Sequence, residues 1–158
     1  MTNISPKSVI SFTKSGLPYG FLGNMYSSQI EYDGLTWRTA EALFQALRFD
    51  DPEIRELIRQ NKSPMGAKFC AKANEKKMCI VPLDLKDIEN MRMTIQLKFD
   101  QHADLRQQLL STGNAILIED VSSRKRGNAL FWGAYLSADT WIGTNKLGEL
   151  LMELRAAK

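Results

Sequence analysis

The stretch DGLTWRTAEALFQALRF, residues 33–49, runs from a turn through a short strand into a helix. Asp33-Gly34 stands between two alternating arms, QIEY and LTW, and predicts a hairpin, because these residue types tolerate the positive φ angles of a two-residue turn. Apolar residues then recur at helical spacing, at Ala40, Leu43, Phe44 and Leu47. This periodicity predicts a helix over about 40–49 with one buried face.

The same helix carries Glu41, Gln45 and Arg48 at positions i, i+4 and i+7, so the three side chains share one face. Thr39 is the predicted N-cap, which places Glu41 in the first turn, where the helix dipole favours an ionised carboxylate. Spacing alone leaves two interpretations open. One is a solvated face with a weak i, i+4 contact. The other is an ionised carboxylate beside an amide and a guanidinium that could bind a sugar or a phosphate.

Length and composition fit one domain, residues 1–158, with 44% hydrophobic and 25% charged residues. A net charge of +3 is too small to indicate a nucleic-acid footprint, but it suits a phosphate-bearing small molecule. Cys70 and Cys79 are too few for a disulfide scaffold and indicate reduced thiols of a cytoplasmic protein. With the single His102 they also argue against a structural zinc site. No apolar run reaches about 18 residues and the first twelve residues lack a signal-peptide pattern, so no membrane partner is expected.

Turn and cap signals divide the rest of the chain. They predict a strand over 8–13, helices opened by Asp51-Pro52, by Ser63-Pro64 and by Asp84, a helix over 103–111, a buried strand over 115–119 and a last helix capped by Asn145. The sum is an α+β fold, a helix-rich single domain around a small β-sheet. Residues 120–144 look like an extended loop, and a loop of about 25 residues in a compact domain is more often functional than not.

Two interpretations of this loop remain open. Trp132 and Trp141 could stack on a base or a ring, and the glycines could let backbone approach a ligand, just before a helix N-terminus that suits an anion. Alternatively, two buried indoles fix the loop and Asn145 caps the helix. The basic run Arg124-Lys125-Arg126 is typical of a solvated loop tip.

The segment FLGNMYSSQIEYDGLTWRTAEALFQALRF resembles the opening signature of the NADAR family, also called YbiA-like. SPMGAK, KFDQHADLRQQLLSTG, FWGAY and GTNKLGELLMELR resemble further blocks of the family, in the same order, over about residues 19–155. The resemblance implies a NADAR-type fold and hydrolysis of an N-glycosidic bond without a cofactor or a metal. The substrate it implies is a phosphorylated ribosyl compound, either a riboflavin-pathway intermediate or ADP-ribosylated guanine in nucleic acid.

Carried onto this chain, the resemblance implies that Glu41 is the catalytic carboxylate. Such a group stabilises an oxocarbenium-like transition state or orients the attacking water. The resemblance also implies a set of substrate contacts, which are Asn24, Arg38, Gln45, Arg48, Lys68, Trp132, Gly133, Asn145 and Lys146.

Three positions depart from the family pattern. Ala42 stands where a histidine usually follows the glutamate, Ala129 stands where an aspartate usually precedes the W-G pair, and Leu83 lies near the place of a tryptophan. If the aspartate serves as a general acid, its loss costs ~10²–10⁴ in rate. Asp120 or Asp139 could replace it. The alternative function is therefore a catalytically impaired NADAR-like module that binds or sequesters an ADP-ribose or NAD-type nucleotide.

Overall fold

A computed structural model describes residues 7–157 of the chain. The part of the signal-peptide prediction that rests on residues 1–6 lies outside this range. The contacts form two compact units. The central unit is Asn24–Ala103, and the terminal unit comprises the chain before Asn24 and from Asp104 onwards. Within 7–157, no helix is long and apolar enough to cross a membrane.

Seven α-helices and six strands are formed by the described residues. In chain order they are β1 (Val9–Phe12), β2 (Ile30–Tyr32), β3 (Leu35–Trp37), α1 (Ala40–Ala46), α2 (Pro52–Gln60), α3 (Pro64–Ala73), α4 (Leu85–Gln101), α5 (Ala103–Ser111), β4 (Ile116–Glu119), α6 (Ala129–Trp132), β5 (Tyr135–Ser137), β6 (Thr140–Ile142) and α7 (Lys146–Ala157). Short 3₁₀ turns lie at Gly20–Leu22 and Glu75–Lys77. The α+β, helix-rich class is confirmed, and the strands pair as three two-stranded sheets within residues 7–157.

In the central unit, β2 and β3 form the predicted antiparallel hairpin, with Ile30 opposite Trp37. Asp33 and Gly34 have φ angles of 51° and 76°, as the two-residue turn requires. Helices α1, α2 and α3 pack against one another, and α4 packs against α1 and β2. The core between them is formed by buried apolar residues that include Ile30, Trp37, Leu43, Leu47, Phe49, Ile54 and Ile58.

All four predicted cap residues of the central unit stand at the starts of their helices, and three of them cap with their side chains. The side chains of Thr39, Asp51 and Ser63 accept hydrogen bonds from backbone N–H groups in the first turns of α1, α2 and α3. Asp84 occupies the position before α4, but its side chain makes no capping hydrogen bond. The prediction that Asp84 is the cap residue of this helix is confirmed, and its backbone carbonyl accepts from the Ile88 N–H at 3.0 Å.

In the terminal unit, β1 and β4 pair in parallel and α7 packs against β4. The prediction of an extended loop over 120–144 is wrong, because this stretch contains α6 and an antiparallel hairpin of β5 and β6. The hairpin turns at Ala138 and Asp139, which have φ angles of 45° and 67°. A turn of this conformation is usually marked by glycine or asparagine, so the sequence carries little sign of it.

Candidate functional site

The polar residues Glu41 and Gln45 of α1 are buried, and so is Arg48, which lies in the turn after the helix because α1 ends at Ala46 and not at about 49 as predicted. Glu41 is 8% exposed, and Gln45 and Arg48 are each 5% exposed. Gln45 Nε2 donates to Glu41 Oε1 at 2.9 Å, and Arg48 Nη1 donates to Gln45 Oε1 at 3.4 Å. We call these three side chains the α1 ladder. The interpretation of this face as solvated is wrong, and the interpretation that joins a carboxylate, an amide and a guanidinium in one cluster describes the geometry.

Asp87 on α4 anchors the far end of the ladder. Its carboxylate is completely buried and accepts from Arg48 twice, from Nε at 2.9 Å and from Nη2 at 2.7 Å. The Leu83 N–H also donates to Asp87 Oδ2, at 2.9 Å, from a backbone conformation with a φ of 72°. The Arg48 guanidinium lies 4.7 Å from the centroid of the Phe44 ring. The positive charge of Arg48 is therefore balanced inside the protein.

Asn24 links the start of the ladder to α4. Its backbone carbonyl accepts from the Glu41 N–H at 3.0 Å, and its side-chain Nδ2 donates to the Met91 sulfur at 3.1 Å. Asn24 Oδ1 is buried and has no hydrogen-bond partner among residues 7–157. Glu41 Oε2 likewise accepts no hydrogen bond from the described side chains or backbone. Two acceptor oxygens without a donor therefore lie on residues that are joined through the backbone.

Sequence reasoning missed the polar residues on the buried face of α4. Asp87, Thr94 and Lys98 are all completely buried. The Lys98 Nζ lies 5.7 Å from the centroid of the Tyr26 ring and 5.2 Å from that of Phe99. Burial lowers the pKa of the Lys98 ammonium from 10.5 to about 7. The available signal was spacing, because positions 87, 91, 94 and 98 follow the i, i+4, i+7 and i+11 pattern of one helix face.

Two other predicted contacts of the central unit lie on exposed residues. Arg38 Nη1 donates to the carbonyl oxygens of Gln60 and Asn61, at 3.0 and 2.7 Å, and so completes the C-terminal end of α2. Lys68 is an exposed residue of α3. Neither residue belongs to the α1 ladder, and substrate contact by Arg38 or Lys68 stays a prediction.

In the terminal unit, the Asn145 side chain is bonded to the backbone of β4. Its Oδ1 accepts from the Glu119 N–H at 3.1 Å, and its Nδ2 donates to the Leu117 carbonyl at 2.9 Å. Its φ of 54° is left-handed, which asparagine tolerates better than most residues. The Asn145 carbonyl accepts the first hydrogen bond of α7, from Glu149 N–H. Asn145 thus stands at the start of α7 as predicted, while its side chain bonds to the backbone of β4.

The glycines of this region allow backbone to approach backbone. A Cβ on Gly133 would lie 2.5 Å from the Glu119 carbonyl oxygen, and a Cβ on Gly143 would meet the Gly133 carbonyl oxygen. Trp132 is buried and contacts Phe131 edge-on, with ring centroids 4.9 Å apart. Lys146 Nζ donates to Glu149 Oε2 at 2.7 Å. Substrate contacts by Trp132, Gly133, Asn145 and Lys146 stay predictions.

Comparison with known proteins gives the family. The model of the NADAR domain matches residues 11–157. The chain belongs to the NADAR family. N-glycosidase YbiA of Escherichia coli is 36% identical over 153 residues, which cover 97% of this chain and 90% of that protein. A riboflavin biosynthesis protein of Vibrio vulnificus is 31% identical over 137 residues, 87% of this chain and 35% of that longer protein. The NMR structure of E. coli YbiA matches with a TM-score of 0.80 and 35% identity, over 98% of this chain and 86% of that chain.

The departures from the NADAR pattern fall in different surroundings. Ala42 is buried in the hydrophobic core of the central unit, so position 42 contributes no polar group to the ladder. Ala129 is the first residue of α6, and Asn128 before it is exposed. The carboxylate of Asp120 accepts from the Ser122 N–H and hydroxyl, and Asp139 lies exposed at the hairpin turn. A role for either aspartate in place of the family residue stays a prediction.

The side chains of the α1 ladder and Asp87 provide carboxylates, an amide and a guanidinium. No group of three histidine, cysteine, aspartate or glutamate side chains in residues 7–157 is arranged to hold a metal ion. The hydrogen bonds of the α1 ladder end on three acceptors, which are the carboxylates of Glu41 and Asp87 and the side-chain oxygen of Gln45. The carboxylate of Glu41 is therefore fixed at Oε1 and can accept a hydrogen at Oε2.

Proposed function

We propose that this NADAR protein is an N-glycosidase that hydrolyses the N-glycosidic bond of a phosphoribosyl or ADP-ribosyl compound, with Glu41 as its catalytic carboxylate. The observation that carries the proposal is the state of the Glu41 side chain. Gln45 holds Oε1 at 2.9 Å while Oε2 accepts nothing from the described residues. A carboxylate oriented on one oxygen and open on the other suits a group that must accept a proton in a defined direction.

Hydrolysis of an N-glycosidic bond requires a proton-accepting carboxylate beside the anomeric carbon. Water attacks the anomeric carbon, the bond between that carbon and the base nitrogen breaks, and the electron pair leaves with the base, which takes up a proton from the solvent. Glu41 takes a proton from the attacking water and stabilises the positive charge that develops on the ribose. Asn24 Oδ1 is a buried acceptor without a partner in the described chain, and contact between Asn24 and the ribose stays a prediction.

The relatives favour a ribosyl substrate. N-glycosidase YbiA and the riboflavin biosynthesis protein both cover most of this chain. Their names support a small ribosyl compound as the substrate, and a ribosyl phosphate or an ADP-ribosyl group is our more specific proposal. ADP-ribosylated guanine in nucleic acid is the second substrate to test.

The second candidate function is binding without turnover. Ala129 supplies no carboxylate where the family usually has one, and that departure favours a module that sequesters an ADP-ribose or NAD-type nucleotide. The two functions differ in the fate of the ligand, because the enzyme releases base and sugar phosphate while the module returns the ligand intact.

Mass spectrometry separates the two functions. The purified protein is incubated with a phosphoribosylamino-pyrimidine and, in a second reaction, with DNA that carries ADP-ribosylated guanine. We expect release of the base from one of them, and a loss of ~10²–10⁴ in rate in Glu41→Gln. The matched control is Glu53→Gln, because Glu53 is also in the first turn of a helix but is exposed. This control should keep the wild-type rate.

Three results would contradict the proposal in different ways. Equal rates for Glu41→Gln and the wild type would remove Glu41 from the catalytic role. An equal fall in both variants would indicate a general effect of lost charge. Intact ligand that stays bound through gel filtration, with no product over hours, would favour the sequestering module.

A further inference from the structure

We propose that Asp87 is a positioning residue for Glu41, which it orients through Arg48 and Gln45. The inference rests on the proposed function for the role of Glu41. It assigns to Arg48 and Gln45 a different task from the substrate contact that the family resemblance implies. Asp87 itself was not among the predicted site residues.

Asp87 and Arg48 form a bidentate contact. Two parallel hydrogen bonds, at 2.9 and 2.7 Å, fix the plane of the guanidinium, and the Phe44 ring at 4.7 Å lies against it. Asp87 is itself fixed, because the Leu83 N–H donates to the same oxygen that accepts from Arg48 Nη2. The position of Nη1 is therefore determined by a carboxylate on another helix.

Arg48 selects one orientation of the Gln45 amide. A carboxamide has an oxygen and an NH₂ group of nearly the same shape, so shape alone does not orient it. The guanidinium has only donors, and its Nη1 lies 3.4 Å from Gln45 Oε1. The amide oxygen must face Arg48, and the NH₂ group then faces the Glu41 carboxylate at 2.9 Å. The reversed amide would place its NH₂ group against the N–H of Arg48 and its oxygen against the Glu41 carboxylate, and neither pair could form a hydrogen bond.

Arg48 is already bound by two partners inside the protein. Its Nε and Nη2 each donate to Asp87 and its Nη1 donates to Gln45, and the residue is 5% exposed. Its charge is already neutralised by a completely buried carboxylate. Three of its five N–H groups are thus engaged. A guanidinium that is nearly inaccessible and whose charge is balanced is better suited to orient an amide than to bind a substrate phosphate, which needs an accessible, unbalanced charge.

A purely structural ion pair is the competing explanation, and a net-neutral double variant separates it from positioning. Arg48→Met with Asp87→Asn removes both charges together, so that no charge is left buried without its counter-ion. The asparagine side chain keeps an oxygen that can accept from the Leu83 N–H. The control is Glu56→Gln with Arg59→Met, which removes a surface pair with a 2.6 Å contact on α2.

The kinetic experiment is a cycle with Gln45→Met. We expect the double variant to stay folded and to lose about 10–100-fold in kcat with a smaller change in KM, because a small misplacement of a catalytic group costs rate more than binding. Gln45→Met should lose a similar factor. The triple variant should lose little more than either one, since both changes break the same chain of contacts. The surface-pair control should keep the wild-type kcat.

Two kinetic outcomes overturn the inference. A folded double variant with wild-type kcat makes Asp87 purely structural. Losses that multiply in the triple variant mean that the ion pair does not act through Gln45.

A second readout does not depend on turnover, so that failure of this inference and failure of the proposed function are distinguishable. The Gln45 side-chain NH₂ protons are assigned in a nitrogen–proton correlation spectrum by their loss in Gln45→Met, and their hydrogen exchange is measured. Slow exchange in the wild type and at least tenfold faster exchange in the double variant support positioning, even in a protein that releases no product. Equal exchange rates in the two proteins overturn it.

Discussion

Gln45 in the central unit and Asn145 in the terminal unit carry the same functional group, and the two carboxamides have opposite partners. Asn145 bonds with both atoms to the backbone of β4. Gln45 bonds with both atoms to charged side chains, donating to Glu41 and accepting from Arg48. An amide bonded to backbone stabilises a structural element, whereas an amide between charged side chains passes orientation from one to the other. The difference lies in the partners that the fold brings, not in the residue type.

The largest expected effect on stability is at the anchor of the ladder. Asp87→Ala leaves the Arg48 charge buried without its counter-ion and should lower the free energy of unfolding by about 3–5 kcal/mol. In the terminal unit, Glu119→Ala breaks a partly exposed pair with Arg124 and should cost about 1 kcal/mol or less. Urea unfolding of both variants tests the contrast. Equal losses would mean that burial does not distinguish the two ion pairs.

Lys98 gives the next effect, and it depends on pH. The pKa of Lys98 is lowered to about 7 in the folded protein, so between pH 7 and 10 the unfolded chain binds more protons and stability rises with pH. The cost of the buried charge is full below pH 7 and disappears above about 10.5. The free energy of unfolding of Lys98→Met, relative to that of the wild type, should therefore rise by about 3 kcal/mol as the pH falls from 10 to 7. A difference in unfolding free energy that does not change with pH would contradict this.

The two amides themselves provide a smaller and sharper test. Asn145→Gly keeps the left-handed backbone but loses two hydrogen bonds, and should cost about 2 kcal/mol of stability. We expect kcat in this variant to stay close to that of the wild type. Gln45→Met should show the reverse pattern, with reduced kcat and a smaller loss of stability. A tenfold rise in KM for Asn145→Gly at unchanged stability would instead support the predicted substrate contact.

The smallest effects are at the two hairpin turns. Gly34 has a φ of 76° and open space around it, so Gly34→Ala should cost about 1 kcal/mol through backbone strain alone. Asp139 has a φ of 67° at an exposed turn, and Asp139→Gly should gain up to about 1 kcal/mol. Thermal unfolding of the pair should give shifts of opposite sign. Shifts of the same sign would show that side-chain contacts, not φ, decide these turns.

Sequence reasoning succeeded where the signal is local. The Asp33-Gly34 turn and the caps at Asp51 and Ser63 each depend on a few neighbouring residues, and all three have the predicted geometry. It failed at the β5–β6 hairpin, whose strands are as short as β2 and β3, because the turn uses Ala138 and Asp139 in place of an Asp-Gly pair. A positive φ at a residue other than glycine costs energy and is imposed by the surrounding fold, so the neighbouring sequence does not indicate it.

The candidate site was predictable in part for the same reason. The spacing of Glu41, Gln45 and Arg48 fixes a shared face and a contact between neighbours on it. Burial of that face could not be predicted, because it depends on α4, whose Asp87 lies 39 positions further along the chain. Asp87 in the first turn of α4 looks like an ordinary dipole-favoured aspartate, so no local pattern distinguishes it from a solvated one.

The end of α1 also offers a native attachment point for a spectroscopic probe. The Arg48 carbonyl oxygen accepts from the Cys79 backbone N–H at 2.9 Å and from its thiol at 3.4 Å, yet Cys79 is exposed. Burial of part of the thiol and a hydrogen bond with Asp50 raise the pKa of Cys79, so a maleimide dye will couple faster as the pH increases above neutrality. Cys70 is the other thiol and is only partly accessible. A dye coupled to Cys79 removes the thiol hydrogen bond to the Arg48 carbonyl. A change in its emission on addition of ligand would show that binding alters the structure just after α1.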